Sequence, residues 1–278
     1  MGKPALKGRA RIKRYRIRPK QKVRLDEWRA GDTSGFDGNE QDALEASKKL
    51  TKKLEQLQGM LYAEHKHKVL IILQAMDTGG KDGTIRRVFE GVNPQTVRVA
   101  RFGVPTPSEL DHDFLWRVHE QVPGKGEMVI FNRSHYEGVL VERVHKLVPE
   151  EVWKSRYQQI NHFERTLCED GMTILKFYLH IDKDEQKKRL LDRLDDPTKR
   201  WKFSIHDLPE RELWSEYMKA YEDVLEKTST SRAPWYLVPA NNNWFRDVII
   251  STIIVKTLER LHMHFPPVAK DLKSVVIK

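Results

Sequence analysis

The sequence predicts an α/β fold: one three-layer domain on a central five-stranded parallel sheet, with helices covering both faces. Three observations carry this expectation. Five short apolar runs alternate with longer amphipathic segments, as in a parallel sheet buried by its crossover helices. The first run leads directly into a Gly-rich turn and then a helical segment. No apolar stretch approaches the ~20 residues of a membrane span, so the strands must be buried by the chain's own helices.

In order along the chain, residues 1–38 read as a basic N-terminal arm and linker, ending in the turn-rich Gly31-Asp32-Thr33-Ser34-Gly35-Phe36-Asp37-Gly38. A helix follows from about Glu40 to Glu64, with Leu44, Leu50, Leu54, Leu57 and Leu61 at three- and four-residue steps. The strands are expected at Val69–Leu73, Val97–Ala100, Met128–Phe131, Thr173–His180 and Trp235–Val238. Helices are expected near Thr84–Glu90, Pro107–Gln121, Pro149–Glu169, Lys183–Leu194, Pro209–Lys227 and Trp244–His264. The main domain spans 39–265, including a lid at about 183–208, and 266–278 form a tail.

Charge is unevenly distributed. The 278 residues carry a formal net charge of +10, yet residues 1–24 hold eleven Lys or Arg and no acid, leaving the rest near neutrality. Such a segment attracts polyanions: nucleic acid, an acidic membrane or polyphosphate. It does not read as a signal peptide, because no apolar stretch follows its charges. The single cysteine, Cys168, excludes an internal disulfide framework and fits a reducing, cytoplasmic compartment.

The sharpest chemical signal is Gln74-Ala75-Met76-Asp77-Thr78-Gly79-Gly80-Lys81-Asp82-Gly83-Thr84, placed between a buried strand and a helix. Glycines allow successive backbone N–H groups to turn inward around an anion, the helix N-terminus adds partial positive charge, and Lys81 supplies a full one. The match to the phosphate-loop pattern is imperfect: Ala75 replaces the first Gly and Asp82 replaces the metal-binding Ser or Thr. Asp77 and Asp82 place carboxylates where phosphate should sit, an arrangement that a bridging Mg²⁺ would relieve. A second polar run, Phe131-Asn132-Arg133-Ser134-His135-Tyr136-Glu137, follows the third strand and should fall beside this loop, since open α/β sheets bind ligands at the carboxyl ends of their strands.

These two runs resemble the corresponding motifs of the family-2 polyphosphate kinases, as do Arg101-Phe102-Gly103-Val104-Pro105-Thr106, Lys199-Arg200-Trp201-Lys202-Phe203 and Ala233-Pro234-Trp235. The resemblance covers roughly residues 40–265. It implies a P-loop kinase-like domain with a helical lid, Mg²⁺ or Mn²⁺ as cofactor, and assembly as a homodimer or homotetramer. It implies phosphoryl transfer between inorganic polyphosphate and nucleoside mono- or diphosphates. By the same resemblance Asp77 is the metal-linked carboxylate and Lys81 a phosphate ligand, with Gly79, Gly80, Asp82, Gly83 and Thr84 completing the cradle and Arg101 near the nucleotide. Many relatives have Asp where this chain has Asn132, which shifts the metal to Asp77. Asn132 with Glu137 looks like the subgroup that accepts both mono- and diphosphates.

Phosphoryl transfer concentrates negative charge on the equatorial oxygens and needs converging cations. Arg133 is the expected partner of Lys81. The base-rich run from Lys187 to Lys202, broken by Pro197, offers Arg193, Lys199, Arg200 and Lys202 to hold polyphosphate. Trp201 and Phe203 are expected to pack the lid. His135 is open to two readings, a phosphate contact or a local hydrogen bond. His65 and His67 read as a polar helix end, Trp153, Ile160, Phe163 and Leu167 as a core stripe, and Cys168 as an inert thiol.

The expected activity is thus Mg²⁺-dependent phosphoryl transfer between polyphosphate and AMP or ADP, with neither a membrane nor nucleic acid as partner. Two other readings remain: an ATP-dependent nucleoside monophosphate kinase, and a non-catalytic nucleic-acid binder using the basic arm.

Overall fold

The computed structural model describes residues 10–205 and 207–267. The arm residues Lys3, Lys7 and Arg9, and the tail from residue 268, lie outside the described residues. Five parallel strands form one sheet in the order β2-β3-β1-β4-β5: β1 Lys68–Ala75, β2 Val97–Arg101, β3 Met128–Asn132, β4 Met172–His180 and β5 Trp235–Pro239. Each expected strand is present, extended by a residue or two where pairing continues beyond the apolar run.

β1 sits at the centre, paired with β3 and β4, and all but its first residue is buried. The pleat sends Val69, Ile71 and Leu73 into one core and Leu70 and Ile72 into the other. The first core is closed by α1 (Glu40–Glu64), α2 (Lys81–Val88) and α10 (Asn243–Glu259). The second is closed by α6 (Glu150–Glu169) and α9 (Trp214–Thr228), whose Ile160, Leu167, Ala220, Tyr221 and Val224 are buried. α1 starts at a reciprocal cap, with Asn39 and Asp42 each accepting the other's backbone N–H at 3.0 Å. α10 lies between α1 and the sheet, which explains why Val248 to Val255 are buried without an amphipathic period.

Three helical expectations are broken up. The 107–121 segment forms only α3 (Pro107–Leu110) and α4 (Trp116–His119), because the Asp113 carboxylate accepts the Leu115 N–H at 2.9 Å and makes a turn between them. The 209–227 segment divides into α8 (Asp207–Glu212) and α9 at Leu213. The last helix stops at Glu259, and His262 then takes a left-handed conformation at φ 50°. The helix expected at Lys183–Leu194 is present after β4 as α7 (Lys183–Asp195), and a short unexpected helix, α5 (Val141–Val144), follows β3.

The basic N-terminal segment is not a free arm from Ala10 onward. Tyr15, Ile17, Val23, Leu25 and Phe36 are buried, Arg16 bridges antiparallel to Tyr236, and the Ile17 N–H donates to Trp235 O at 2.9 Å. The apolar residues responsible lie between the charges, a pattern the reading of a basic arm passed over. The segment covers the otherwise open edge of β5. Its return requires Gly35, where a Cβ would stand 1.9 Å from the Tyr15 hydroxyl. No helix among the described residues is long and apolar enough to cross a membrane.

Candidate active site

The carboxyl ends of the strands meet in a cleft of about 510 Å³. Its floor is the loop from Asp77 to Gly80, where β1 turns into α2. Thr78 and Gly80 adopt left-handed conformations at φ 62° and 95°, and the Gly79 N–H donates to Met76 O at 2.9 Å. The turn is tight against Ala75, the residue that departs from the usual phosphate-loop pattern: a Cβ on Gly79 would approach the Ala75 Cβ to 2.5 Å. A Cβ on Gly80 would stand 2.1 Å from Arg246 Nη1. Gly80→Ala should therefore lower kcat by at least ~10-fold, since both strain and displacement of Arg246 disturb the cradle; unaltered steady-state rates would contradict this.

Lys81 opens α2, and its Nζ donates to Ala75 O at 3.0 Å. Burial lowers its pKa, as does the charge of Arg133, while Asp77, Glu137 and Asp82 oppose the shift. At the end of β3, Asn132 Nδ2 donates to Asp82 Oδ1 at 2.7 Å. Arg133, held at φ 63°, donates from Nη2 to Asp77 Oδ1 at 2.9 Å and faces Glu137 Oε2 at 3.7 Å. Burial raises the Glu137 pKa against the pull of Arg133 and Lys81.

α7, entered after β4, clamps the loop from above. Gln186 donates to Asp77 O at 3.2 Å and Arg189 to Thr78 O at 3.0 Å, while a second Arg189 nitrogen donates to Ala240 O at 2.6 Å. At the start of α10, Arg246 donates to Asn243 Oδ1 at 2.8 Å and to Asp247 Oδ1 at 2.9 Å. Burial pulls its pKa down to about 10, so it stays charged at neutral pH. Arg87 completes this wall through a close ion pair with Asp247.

Of the residues expected from sequence, Asp77, Gly79, Gly80, Lys81, Asp82, Gly83, Arg101, Asn132, Arg133, Arg193, Lys199 and Lys202 line the cleft together. Thr84 does not: it is fully buried beneath the loop, its hydroxyl unpartnered. Glu137 lies behind Arg133, in the walls of two neighbouring cavities. Arg200 turns its Nε to Leu194 O at 2.7 Å and is absent from the cleft wall. Trp201, expected to pack the lid, is 78% exposed. His135 resolves to the structural reading, buried with Nε2 3.3 Å from Glu164 Oε1. His65 is the left-handed cap of α1. Burial pushes the Cys168 thiol up to about 11.

Sequence reasoning did not single out Arg87, Arg189, Asn243 and Arg246. Arg246 had a usable signal, the general rule that ligands meet the carboxyl ends of strands, which applies equally after β5. Among the described residues nine cations thus line the cleft: Lys81, Arg87, Arg101, Arg133, Arg189, Arg193, Lys199, Lys202 and Arg246. Three acids accompany them: Asp77, Asp82 and Asp192.

Two of those acids suit a hard divalent cation. Asp77 and Asp82 each have one carboxylate oxygen engaged by Arg133 or Asn132, and both face the phosphate cradle. Mg²⁺ is commonly held by one or two carboxylates plus substrate phosphates. A glycine turn between a buried strand and a helix, a loop lysine and converging arginines, at the carboxyl ends of a parallel sheet, define a phosphoryl-transfer enzyme.

Comparison with known proteins agrees. The chain belongs to the polyphosphate kinase 2 family, whose profile matches residues 38–266. It is 57% identical over 267 residues to the AMP/ADP-polyphosphate phosphotransferase of Meiothermus ruber, covering 96% of this chain and 100% of that protein. It is 42% identical to the ADP-polyphosphate phosphotransferase of Rhodopseudomonas palustris, covering 92% of each. The crystal structure of polyphosphate kinase 2 from Arthrobacter aurescens TC1 superposes with a TM-score of 0.92 at 40% identity, over 96% of this chain and 95% of that one.

Proposed function

We propose that this enzyme transfers a phosphoryl group between inorganic polyphosphate and AMP or ADP, with Mg²⁺ or Mn²⁺ bound. The observation that carries this reading is the junction of two cavities at Arg133. On one side lies the cationic cleft. On the other lies a cavity of about 540 Å³ with a largely apolar lining that includes Phe102, His112 and Phe114, together with Glu137. A polyanion fits the first and a nucleoside the second, so the reacting phosphates meet at Arg133, beside Lys81.

In this arrangement an oxygen of the acceptor's terminal phosphate attacks the end phosphorus of polyphosphate in line. A new P–O bond forms, the bridging P–O bond breaks, and the shortened chain leaves with the electron pair. Lys81 and Arg133 stabilise charge on the transferring group, and Arg189 and Gln186 hold the loop in place. Asp77 and Asp82 would hold the divalent cation, which neutralises phosphate charge when bound. No protein nucleophile is needed. Asn132 with Glu137 supports the use of both acceptors. A cytoplasmic, homo-oligomeric enzyme is part of the same proposal.

The lid supplies a prediction. Lys199→Ala should raise KM for polyphosphate several-fold with little change in KM for nucleotide. Arg200→Ala should have a smaller effect, because that guanidinium is committed to Leu194 O. Steady-state kinetics with each substrate varied checks the order.

The acceptor test is incubation with Mg²⁺, polyphosphate and either AMP or ADP, resolving products by ion exchange. ADP and ATP formed from AMP are expected. Product from ADP alone would remove the assignment built on Asn132 and Glu137.

A further inference from the structure

The basic stripe on the N-terminal segment is not used by the cleft. Along residues 11–24 the apolar side chains Tyr15, Ile17 and Val23 point inward, while Arg11, Lys13, Arg14, Arg16, Arg18, Lys20, Lys22 and Arg24 are exposed. Some of these charges are spent: Arg14 pairs with Asp32 at 3.4 Å, Arg16 donates to Ser231 O at 3.0 Å, and Arg24 pairs with Asp26 at 3.0 Å. The side chains of Arg11, Lys13, Arg18, Lys20 and Lys22 have no hydrogen-bond or ion-pair partner among the described residues. Five like charges held on one ordered, otherwise uncompensated edge repel one another, a cost that a polyanion removes.

The stripe is linked to the cleft through residues 30–35. Arg11 N–H donates to Gly35 O at 2.7 Å, and Arg14 Nη1 to Ser34 Oγ at 2.8 Å, so the upper stripe rests on residues 32–35. The preceding residues touch the loop that walls the cleft: Asn241 N–H donates to Ala30 O at 3.1 Å, and Asn242 Nδ2 to Gly31 O at 3.2 Å. Asn243 is itself a cleft residue. From there the segment runs antiparallel to β5, toward the opposite end of the sheet.

We propose that this edge is a second binding surface for polyphosphate, holding the distal part of a long chain whose end lies in the cleft. The inference rests on the donor reading above. Polyphosphate is favoured over nucleic acid because residues 30–35 link the stripe to the cleft that, on that reading, takes its end. It also offers cations without interleaved exposed aromatic rings, which a single-strand nucleic-acid surface would use. Retention works by effective concentration: a chain held at two places returns its end to the cleft more often.

The test is the full-length variant Arg11→Gln/Lys13→Gln/Arg18→Gln/Lys20→Gln/Lys22→Gln, whose changes are all on exposed side chains. KM is measured for polyphosphate of several hundred units and for hexaphosphate, with ADP fixed. For the long chain KM should rise by about ten-fold, with a shallower dependence on salt. For hexaphosphate KM and kcat should be unchanged. An equal shift for both lengths, or none for either, overturns the proposal. So does a variant whose long-chain KM is unaltered while its DNA affinity or oligomeric mass falls, which would assign the stripe to nucleic acid or to a subunit contact. Failure of the wild-type enzyme to use either chain would instead refute the donor reading.

Discussion

Lys81→Ala is expected to lower kcat by about 10²–10³-fold, the scale seen when one preorganised charge-stabilising group is removed. Lys81 is half-buried at the start of α2 among Asp77, Asp82, Glu137 and Arg133, where partial exclusion of water strengthens its field in the cleft. The free enzyme holds Lys81 with its pKa lowered, so part of the cost of burying this cation is unpaid until phosphate arrives. Stability should therefore not fall with activity. Loss of the bond to Ala75 O costs roughly 1 kcal/mol, and removal of a poorly solvated charge offsets it. The prediction is an inactive protein with a Tm close to that of wild type. A thermal melt beside a rate measurement checks it. Near-normal kcat would remove Lys81 from the chemistry, and a large drop in Tm would make the lost activity a folding effect.

The second large effect is on stability. Behind the active-site loop, Lys176 Nζ donates to Glu164 Oε2 at 2.6 Å, to Tyr136 Oη at 2.9 Å and to Thr228 O at 2.8 Å. The Lys176 and Glu164 side chains are 0% and 2% exposed. Burial alone would raise the Glu164 pKa, but Lys176 and His135 hold it below the ordinary glutamate range. Lys176→Met leaves that carboxylate buried without its cation and should cost about 3–5 kcal/mol. Changing both partners, Lys176→Met with Glu164→Leu, should cost less than the first change alone, because no charge is stranded. Denaturant titration of both variants decides this. The pH dependence has a definite sign. A depressed carboxyl pKa contributes stability that is complete above the unfolded glutamate value and is lost as pH falls through the folded one. The cluster also ties α6 and β4 to the 135–139 turn, which carries Glu137, so packing here bears on site geometry.

The sheet was legible because each strand is a compact apolar run bounded by polar turns, and the phosphate loop because glycine spacing, lysine and strand context coincide. Helix breaks at Asp113 and Leu213 were not legible. One depends on a side chain capturing a backbone N–H, the other on packing between α8 and α9. The structure brings together the residues contiguous with a motif, Asp77 to Gly83 and Asn132 to Arg133, in one cleft. The cleft was read poorly where a helix delivers one arginine from afar, as at Arg87, Arg189 and Arg246. Arg200 shows the opposite case. A basic residue in a basic run was expected at the substrate, whereas its Nε donates to the Leu194 carbonyl near the end of α7 and the residue is absent from the cleft wall. The N-terminal charges hid a second pattern, since Tyr15, Ile17, Val23 and Leu25 lie between them and fasten the segment to the sheet edge.

The central claim is that the cationic cleft takes polyphosphate as the phosphoryl donor. The most direct test is kcat/KM for polyphosphate and for ATP as alternative donors to AMP, in one enzyme preparation with Mg²⁺ present. Polyphosphate should be the better donor by at least ~100-fold, because nine cations among the described residues line the cleft, more than the charge of one triphosphate calls for. Productive turnover of ATP with AMP, with no product from polyphosphate, would contradict the account and make this an ATP-dependent monophosphate kinase.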